Sequence, residues 1–483
     1  MLFLIAIAGL LLRLSFINKP EGLWNDEYVS WYVANTPFHE GFWQEVLKQC
    51  HMPLYYLYLK PFAHCSDLIL RLTSVVPNVL AIFVMYFVGK ECSKKLGIIC
   101  ATLTSFLSFL IYYSQEVRFY SLLFLFSALA LLATIKLVKN TNRKNVVFYC
   151  ISMLLILLTH VLGGIFVLFN TLYVIYKKQC FSKKILLPVF VGSIVVLPFG
   201  LNIIRMLPTS QWWGHFSYTN ILFLFSDYLS PILTNNINAP TVFFYNKSFA
   251  LWQFLPCLIS AVPFLLGIKK AKGLSVVALL TVIVMSILAI FGKIVFITKY
   301  SIEILPIIIF LLALGFDKLK KVGNVLLSLL VLIHLCTFFT PNYVTKIIRY
   351  EGNRIPAEII KTRNPENVIF TYYEPNRFER YVDLSKKKVY YISKINRLDY
   401  LSNPAEILQN IKTGETVSVV FLDSVSFFDE DFINANRENA KIPEMFMTFS
   451  HIKNSLIAGL NKDFTDFNVD KIGSWTVVSC KKK

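Results

Sequence analysis

Two adjacent carboxylates follow the first apolar run of the chain. Asp26 and Glu27 stand in the sequence Asn-Asp-Glu-Tyr, shortly after a run of apolar residues that begins at Leu2. A carboxylate in a partly desolvated cleft becomes a stronger base, so it can deprotonate a hydroxyl nucleophile. The alternative is structural, because acidic residues stabilise the first turn of a helix. We predict that Asp26 is the general base and that Glu27 belongs to the same catalytic group.

Cationic residues recur in later connections between apolar runs. Arg118, Lys299 and His51 are the main candidates for binding a phosphate, because cations stabilise the negative charge left on a departing phosphate. Lys299 has a competing role, since Glu303 lies one helical turn away and could pair with it. Lys60 and Arg71 are further candidates on the same side of the chain.

A third acid and a second histidine complete the set. Glu116 precedes Arg118 by two residues, so the two share a face only in an extended connection; otherwise Glu116 and Tyr120 point together. Glu116 is a further catalytic candidate. His160 lies just before two glycines, where a ligand could approach closely, although a lone histidine can also be a hydrogen-bonded core residue. Tyrosines flank these groups and are predicted to bind substrate: Tyr55, Tyr56, Tyr120 and Tyr300.

The elements that must position these residues are membrane-spanning helices. Apolar residues make up 55% of the 483 residues, which is too high for an ordinary soluble protein of this length. Runs of roughly 17–25 apolar residues form helices in hydrocarbon, because a helix satisfies its own backbone groups. We predict about eleven spans, starting near Leu2, Leu68, Leu96, Phe119, Val146, Leu162, Ile185, Leu251, Leu274, Ile302 and Val322.

Basic clusters fall in alternate connections between these runs. They include Lys94 with Lys95, Lys183 with Lys184, and Lys320 with Lys321, as the positive-inside rule expects of cytoplasmic loops. The formal charge of +19 therefore reflects topology and does not indicate nucleic-acid binding, which needs basic residues on one exposed surface. The acids and cations named above then share the extracytoplasmic side of a multi-pass protein of the inner or plasma membrane.

Two outer connections and the C-terminal part stand apart from the spans. The first outer loop, 18–67, and the fourth, 205–250, are long enough to be functional. Residues 1–340 form the predicted bundle. Residues 341–483 carry short β-rich runs from Val368, Val389, Val417 and Trp475, separated by helix-like segments, which predicts a small extracytoplasmic α/β domain.

A family resemblance rests on motifs in this order. They are Asn25-Asp26-Glu27, His51-Met52-Pro53-Leu54-Tyr55-Tyr56, Ser114 to Tyr120, Thr159-His160, and Lys299-Tyr300 with Pro306. Together they resemble the GT-C glycosyltransferases of the protein O-mannosyltransferase and lipid A aminoarabinose transferase superfamily, over roughly the first 340 residues. In relatives the position of His51 is often a lysine that contacts the donor phosphate, so this chain departs from that pattern.

The resemblance implies a function. Such enzymes transfer a sugar from a polyprenyl-phosphate-linked donor, by an inverting displacement, to a hydroxyl of a lipid, glycan or protein acceptor. It implies a catalytic acid in the first outer loop, which corresponds to Asp26. No cofactor is required; a divalent metal is possible but not implied, because cationic side chains can balance the phosphate charge.

A transporter or flippase of a lipid-linked saccharide is the alternative. It too needs polar groups within the membrane, but transporters are usually built from repeated halves with charges near the midplane. The sequence shows no convincing repeat, and its ionisable clusters lie at the ends of apolar runs. These features favour the enzyme.

Overall fold

The computed structural model describes most of the chain. The described residues are 1–19, 21–49, 51–178, 190, 192–194, 196–202, 205, 224–229, 247–291, 297–339, 352–371, 377–391, 404–422, 456–472 and 475–483. Most of the predicted outer loop 205–250 lies outside them. Two compact units are present: Met1–Asn18 with Val29–Ile347, and Lys19–Tyr28 with Ile348–Lys483. We call these the membrane unit and the C-terminal unit.

The membrane unit is helical throughout its described parts. Its α-helices, in chain order, are α1 (Leu2–Leu14), α2 (Asn25–Asn35, shared with the C-terminal unit), α3 (Phe42–Lys48), α4 (Leu54–Leu59), α5 (Asp67–Lys90), α6 (Lys94–Phe106), α7 (Ser108–Ser114), α8 (Tyr120–Lys139), α9 (Arg143–Thr159), α10 (Gly163–Lys178), α11 (Leu224–Leu229), α12 (Lys247–Lys270), α13 (Lys272–Ile290), α14 (Leu305–Lys318) and α15 (Lys320–Phe338). A 3-10 helix, Thr298–Ile304, leads directly into α14.

Helices occur at the predicted apolar runs that the structure describes. A helix begins near every predicted apolar run except the one at Ile185, which lies outside the described residues. Within those residues, four helices are long and apolar enough to cross a membrane: α5, α8, α13 and the 3-10 helix with α14; the bent pair α6–α7 could be a fifth. A polytopic helical protein is therefore confirmed, and the count of about eleven spans stays a prediction.

Several predicted basic clusters meet at one end of the bundle. Lys95 at the start of α6 lies 3.0 Å from the carboxylate of Asp317 at the end of α14. Glu91, after α5, pairs with Lys136 at 3.3 Å and Lys139 at 2.9 Å, both in the last turn of α8. Cations there also suit the negative ends of the helix dipoles of α5 and α8.

A break between α6 and α7 bends the chain by 57°. Leu107 is extended at the break, although no proline or glycine stands there. The fully buried guanidinium of Arg13 donates to the carbonyls of Thr104 (2.9 Å) and Ser105 (2.9 Å). These carbonyls belong to the last turn of α6, whose final acceptors have no partner within their own helix. Arg13 therefore caps α6 from α1.

The start of α7 is capped from the opposite side of the break. The backbone N–H of Ser108 donates to Nδ1 of His334 at 3.4 Å, and the Ser108 hydroxyl lies 3.1 Å from the same atom. Beyond α7, Gln115 donates from Nε2 to the carbonyls of Arg13 (3.0 Å) and Ser15 (2.6 Å). The α7–α8 connection, Gln115–Phe119, is thus fixed to the end of α1.

Helices α12 and α14 approach closely. A Cβ atom added to Gly267 would overlap the carbonyl oxygen of Leu311, and one on Gly315 would overlap that of Pro263. Small residues allow such backbone contact between membrane helices, where packing replaces the hydrophobic effect as the driving force. The close packing fixes α14, and hence the 3-10 helix before it that carries Lys299 and Tyr300.

The C-terminal unit contains a five-stranded sheet. Its strands are β1 (Asn367–Phe370), β2 (Lys388–Tyr391), β3 (Thr416–Leu422), β4 (Phe464–Ile472) and β5 (Trp475–Lys482), in the order β2-β1-β3-β5-β4. β1 is parallel to β2 and β3, whereas β5 is antiparallel to β3 and β4. Helices α16 (Arg354–Arg363) and α17 (Pro404–Gln409) accompany it.

The small sheet predicted from the sequence is confirmed. The apolar runs from Val368, Val389, Val417 and Trp475 form β1, β2, β3 and β5. β4 was not predicted, because it is an edge strand with Phe464 as its one fully buried residue and lacks a clear apolar alternation. The segment Lys19–Tyr28 also belongs to this unit, which the sequence pattern did not indicate.

Candidate functional site

Four connections of the membrane unit bring the predicted substrate-binding residues together. They are the segment before α4 with His51, the α7–α8 connection with Arg118, the α9–α10 connection with His160, and the 3-10 helix with Lys299. Each connection follows or precedes a buried helix, so the polar groups lie on backbone that is held by packing. The arrangement gathers residues from positions 51 to 300 into one cluster, which we call the Phe119 cluster.

The ring of Phe119 lies at the centre of this cluster. It stacks on His160, with ring centroids 4.8 Å apart and planes inclined by 24°. The His51 ring lies 5.4 Å away and the Tyr55 ring 6.3 Å away. His160 in turn lies 5.9 Å from the Tyr300 ring. Phe119 is 2% exposed, so it is a buried aromatic support for the polar groups around it.

Two cations border the same aromatic groups. The guanidinium of Arg118 lies 5.4 Å from the Phe119 centroid, and Nη1 donates to the hydroxyl of Ser30 at 3.3 Å. Nζ of Lys299 lies 5.7 Å from the Tyr120 ring and 5.6 Å from the Tyr300 ring. Positive charge over an aromatic face is stabilised by the ring quadrupole. The site therefore holds the basic groups of Arg118 and Lys299 within a largely apolar surrounding.

Both histidines of the cluster are neutral. Burial, together with the nearby charge of Arg118, lowers the pKa of His160 to about 3. Burial also lowers the pKa of His51 well below its ordinary value, with additional contributions from Arg118, His160 and Lys299. His51 lies 2.9 Å from the Tyr56 hydroxyl through Nδ1, so it acts in a hydrogen bond. A neutral imidazole cannot replace a phosphate-binding lysine by charge.

We expect the neutral His160 to make stability depend on pH. Unfolded histidine binds a proton below about pH 6.5, whereas His160 in the folded protein does not until the pH approaches 3. Its contribution is fully present above pH 6.5 and is lost as the pH falls, by about 1.4 kcal/mol at pH 5.5. The thermal midpoint in detergent should therefore fall less from pH 7.5 to pH 5.5 in His160→Asn than in wild type.

His39 supplies the control for this measurement. Its side chain is 82% exposed, so His39→Asn removes a histidine from the surface without opening the buried cluster. An equal fall in thermal midpoint for His160→Asn and wild type would contradict the assignment of a neutral, buried His160.

Glu116 lies on the Tyr113 side of the α7–α8 connection. The N–H of Arg118 donates to the Glu116 carbonyl at 2.8 Å, which closes a γ-turn at Val117. Tyr113 has electrostatic interactions with both Glu116 and Lys299. Glu116 is 1% exposed. The turn thus holds the backbone of Glu116 and Arg118 close together, while a catalytic role for Glu116 stays a prediction.

Lys60 and Arg71 have structural contacts in addition to their predicted roles. Nζ of Lys60 donates to the carbonyls of Ala34 (3.1 Å) and Thr36 (2.5 Å) at the end of α2. A cation suits that end of a helix dipole, so Lys60 acts as a C-terminal cap. Buried Arg71 donates to the carbonyl of Ile17 at 3.4 Å. Substrate binding by Lys60 or Arg71 stays a prediction.

The predicted acids of the first loop lie in the first turn of α2. The carboxylate of Glu27 accepts a hydrogen bond from the backbone N–H of Trp24 at 3.3 Å, which is one half of a capping box. Glu27 therefore caps helix α2 in this structure, and a catalytic role for it stays a prediction. Asp26 precedes it and belongs to the C-terminal unit. The proximity of Asp26 to Arg118 and Lys299 stays a prediction.

Sequence reasoning missed Asp227, which contacts the 3-10 helix that carries Lys299. The hydroxyl of Thr298 donates to Asp227 at 2.6 Å, and that of Tyr228 donates to the Ser301 carbonyl at 2.6 Å. These bonds tie α11 to the 3-10 helix. The carboxylate of Glu303 is fully buried, without a hydrogen-bond partner in the described part of the chain. Asp227 could have been identified from the sequence, because it stands within an apolar segment, where an acidic side chain costs free energy.

No set of metal ligands is visible in the described residues. Groups of three or more His, Cys, Asp or Glu side chains placed to share an ion do not occur among them. The cluster offers two cations, neutral imidazoles and tyrosines instead. The two cations suit an anionic group such as a phosphate.

Comparisons with known proteins identify the fold. No family model and no curated protein matches the chain. Among solved structures, the chain is similar to ArnT from Cupriavidus metallidurans in the apo state, with a TM-score of 0.56, 10% identity, and coverage of 99% of this chain and 97% of the other. The same enzyme bound to undecaprenyl phosphate gives a TM-score of 0.52 at 10% identity and the same coverage. The chain therefore has the fold of a GT-C enzyme, as its sequence motifs predicted.

Proposed function

We propose that this chain is a membrane glycosyltransferase that moves a sugar from a polyprenyl-phosphate-linked donor to a hydroxyl of a lipid, glycan or protein acceptor. The observation that carries the proposal is the convergence of Arg118 and Lys299 on the aromatic and histidine side chains around Phe119. The fold supports it, because a protein of this fold has been solved bound to undecaprenyl phosphate.

The donor phosphate lies between Arg118 and Lys299 in this proposal. As the acceptor oxygen attacks the anomeric carbon, the bond from that carbon to the phosphate oxygen breaks, and polyprenyl phosphate leaves with the electron pair. Two fixed cations in a water-poor site stabilise the charge that gathers on the leaving phosphate more than the charge of the intact donor. Arg118 can use two N–H groups on one phosphate, whereas Lys299 acts as a point charge.

The remaining groups orient the sugar and remove the acceptor proton. Nδ1 of His160 is buried, without a hydrogen-bond partner in the described part of the chain, so it can bind a sugar hydroxyl. His51 and the tyrosines Tyr55, Tyr56, Tyr120 and Tyr300 line the same cluster. Asp26 takes the proton from the acceptor hydroxyl, which makes the attacking oxygen a stronger nucleophile. Attack from the face opposite the phosphate inverts the anomeric centre.

No cofactor is needed for this chemistry. The two cations supply the positive charge that a metal ion supplies in other transferases. A divalent metal remains compatible with activity, and a chelator tests the point: transfer should continue in EDTA.

The extracytoplasmic placement of the site and of the C-terminal unit rests on the positive-inside pattern. Single cysteines introduced into a cysteine-free variant of the protein report directly which side of the membrane each position faces. A membrane-impermeant thiol reagent added to intact cells should label a cysteine at Ser385, in the C-terminal unit. It should not label one at Lys144, in a basic loop. The reverse pattern would overturn the orientation.

A flippase of lipid-linked saccharides is the competing function, and a transfer assay separates the two. Purified protein in detergent receives donors that carry a radiolabelled sugar on polyprenyl phosphate, with extracts of lipid, glycan and protein as acceptors. The transferase releases polyprenyl phosphate and labels an acceptor without a membrane. Nucleotide sugars serve as the negative control. Failure of every lipid-linked donor, together with donor translocation in proteoliposomes, would establish the flippase instead.

A further inference from the structure

The segment before α2 is bound by the C-terminal unit. The N–H of Leu23 donates to the hydroxyl of Tyr381 at 2.8 Å, and the N–H of Asn353 donates to the carbonyl of Leu23 at 3.2 Å. The N–H of Arg354 donates to the carbonyl of Glu21 at 2.9 Å. Both backbone groups of Leu23 are therefore held by residues more than three hundred positions away in the sequence.

The fit around Gly22 is too close for a side chain. Gly22 has a φ of +81°, and a Cβ there would lie 2.7 Å from the Tyr381 hydroxyl and 2.7 Å from Cβ of Arg354. Only glycine adopts that backbone conformation without strain and leaves room for its neighbours. The guanidinium of Arg354 also lies 5.2 Å from the centre of the Tyr381 ring. We call Asn353, Arg354 and Tyr381, which together bind the segment, the seat.

The seat is fixed to the sheet of the same unit. Nε1 of Trp475, at the start of β5, donates to the carbonyl of Gly352 at 3.1 Å. Trp475 is 1% exposed and packs against Phe378, with ring centroids 5.8 Å apart. Gly352 itself faces the backbone of Glu21 so closely that a Cβ would overlap it. The sheet, the seat and the segment thus form one continuous packed structure.

The bound segment runs directly into the first turn of α2. Leu23 and Asp26 are three residues apart, and the N–H of Tyr28 donates to the carbonyl of Trp24 at 2.8 Å. The Glu27 cap on the Trp24 N–H closes the same turn. Little backbone freedom remains between the seat and Asp26, so the seat sets where the helix begins.

We propose that the C-terminal unit is a positioning device for Asp26, and that Tyr381 is its main positioning residue. This inference rests on the proposed function for the role of Asp26 as the base. A base must lie within hydrogen-bond reach of the proton that it removes, so a small shift of its backbone lowers the rate of the chemical step. Donor affinity is set by the cations of the membrane unit and should not change.

Hydrogen exchange tests the seat without any assay of activity. Tyr381→Phe removes only the hydroxyl, so amides of residues 21–28 should exchange about 3- to 10-fold faster than in wild type. Gly22→Ala should have a larger effect, because it adds both strain and overlap. Tyr390→Phe is the matched control, because Tyr390 lies in β2 of the same unit and packs on an apolar cluster. Loss of its hydroxyl should leave the exchange rates of these amides unchanged.

Kinetics then test the link to catalysis. Tyr381→Phe should lower kcat at least 3-fold and leave the donor KM within 2-fold of wild type, with Tyr390→Phe equal to wild type in both. Unchanged exchange at residues 21–28 in both seat variants, or faster exchange with unchanged kcat, would overturn the proposal. If wild-type protein transfers no sugar, the proposed function fails, while the exchange data still decide whether the seat exists.

Discussion

Replacing Asp26 with asparagine is expected to lower kcat by about 1,000-fold, within the range for loss of a general base. Asparagine has nearly the same shape and still suits the first turn of α2, but its amide cannot accept the proton of the acceptor hydroxyl. The thermal midpoint and the affinity for polyprenyl phosphate should remain close to those of wild type. Initial rates with saturating donor, measured across pH, check the prediction.

Glu27→Gln is the matched control for Asp26→Asn. The amide oxygen of glutamine can still accept the Trp24 N–H, so the cap survives and kcat should fall less than 10-fold. If Glu27→Gln abolishes transfer and Asp26→Asn does not, the base is Glu27. Wild-type turnover in Asp26→Asn would remove Asp26 from the mechanism.

Arg118→Ala should lower kcat/KM for the lipid-linked donor by about 100- to 1,000-fold, as expected for loss of a group that stabilises charge in the transition state. The guanidinium contacts the Phe119 ring and Ser30, and Arg118 is 5% exposed, so water cannot readily replace its charge. Arg118→Lys keeps the charge but loses the paired N–H groups, so it should recover part of the loss. Steady-state kinetics with varied donor measure both effects.

Lys95→Ala serves as the charge-matched control for Arg118→Ala. Lys95 pairs with Asp317 at the end of α14 remote from Lys299, and the pair is partly exposed, so its loss should leave donor kinetics unchanged. Unchanged kinetics in Arg118→Ala would move the phosphate site away from the α7–α8 connection.

Local sequence patterns predicted the elements of this protein well. Apolar runs located the helices, because a membrane helix must be apolar over most of its length, and the runs from Val368 and Val417 located the central strands. The cationic and histidine residues around Phe119 were also predicted, since charges near membrane helices are costly and seldom incidental. These inferences need no knowledge of which helix neighbours which.

Features that depend on distant contacts could not be predicted. The break at Leu107 has no local helix breaker; it is capped by Arg13 and His334 from other helices. The cap that Lys60 places on α2, and the neutral state of His160, follow from tertiary packing and burial. The binding of Leu23 by Tyr381 joins the two ends of the chain. No periodicity or composition encodes such pairs.

Binding of a polyprenyl phosphate without a sugar tests the central claim most directly, because it separates recognition of the lipid phosphate from recognition of the sugar. Native mass spectrometry of the purified protein should show one bound undecaprenyl phosphate in wild type and in Lys95→Ala. The double variant Arg118→Ala, Lys299→Ala should bind it at least 100-fold more weakly. Equal binding by the double variant and wild type would contradict a donor phosphate held between these two cations.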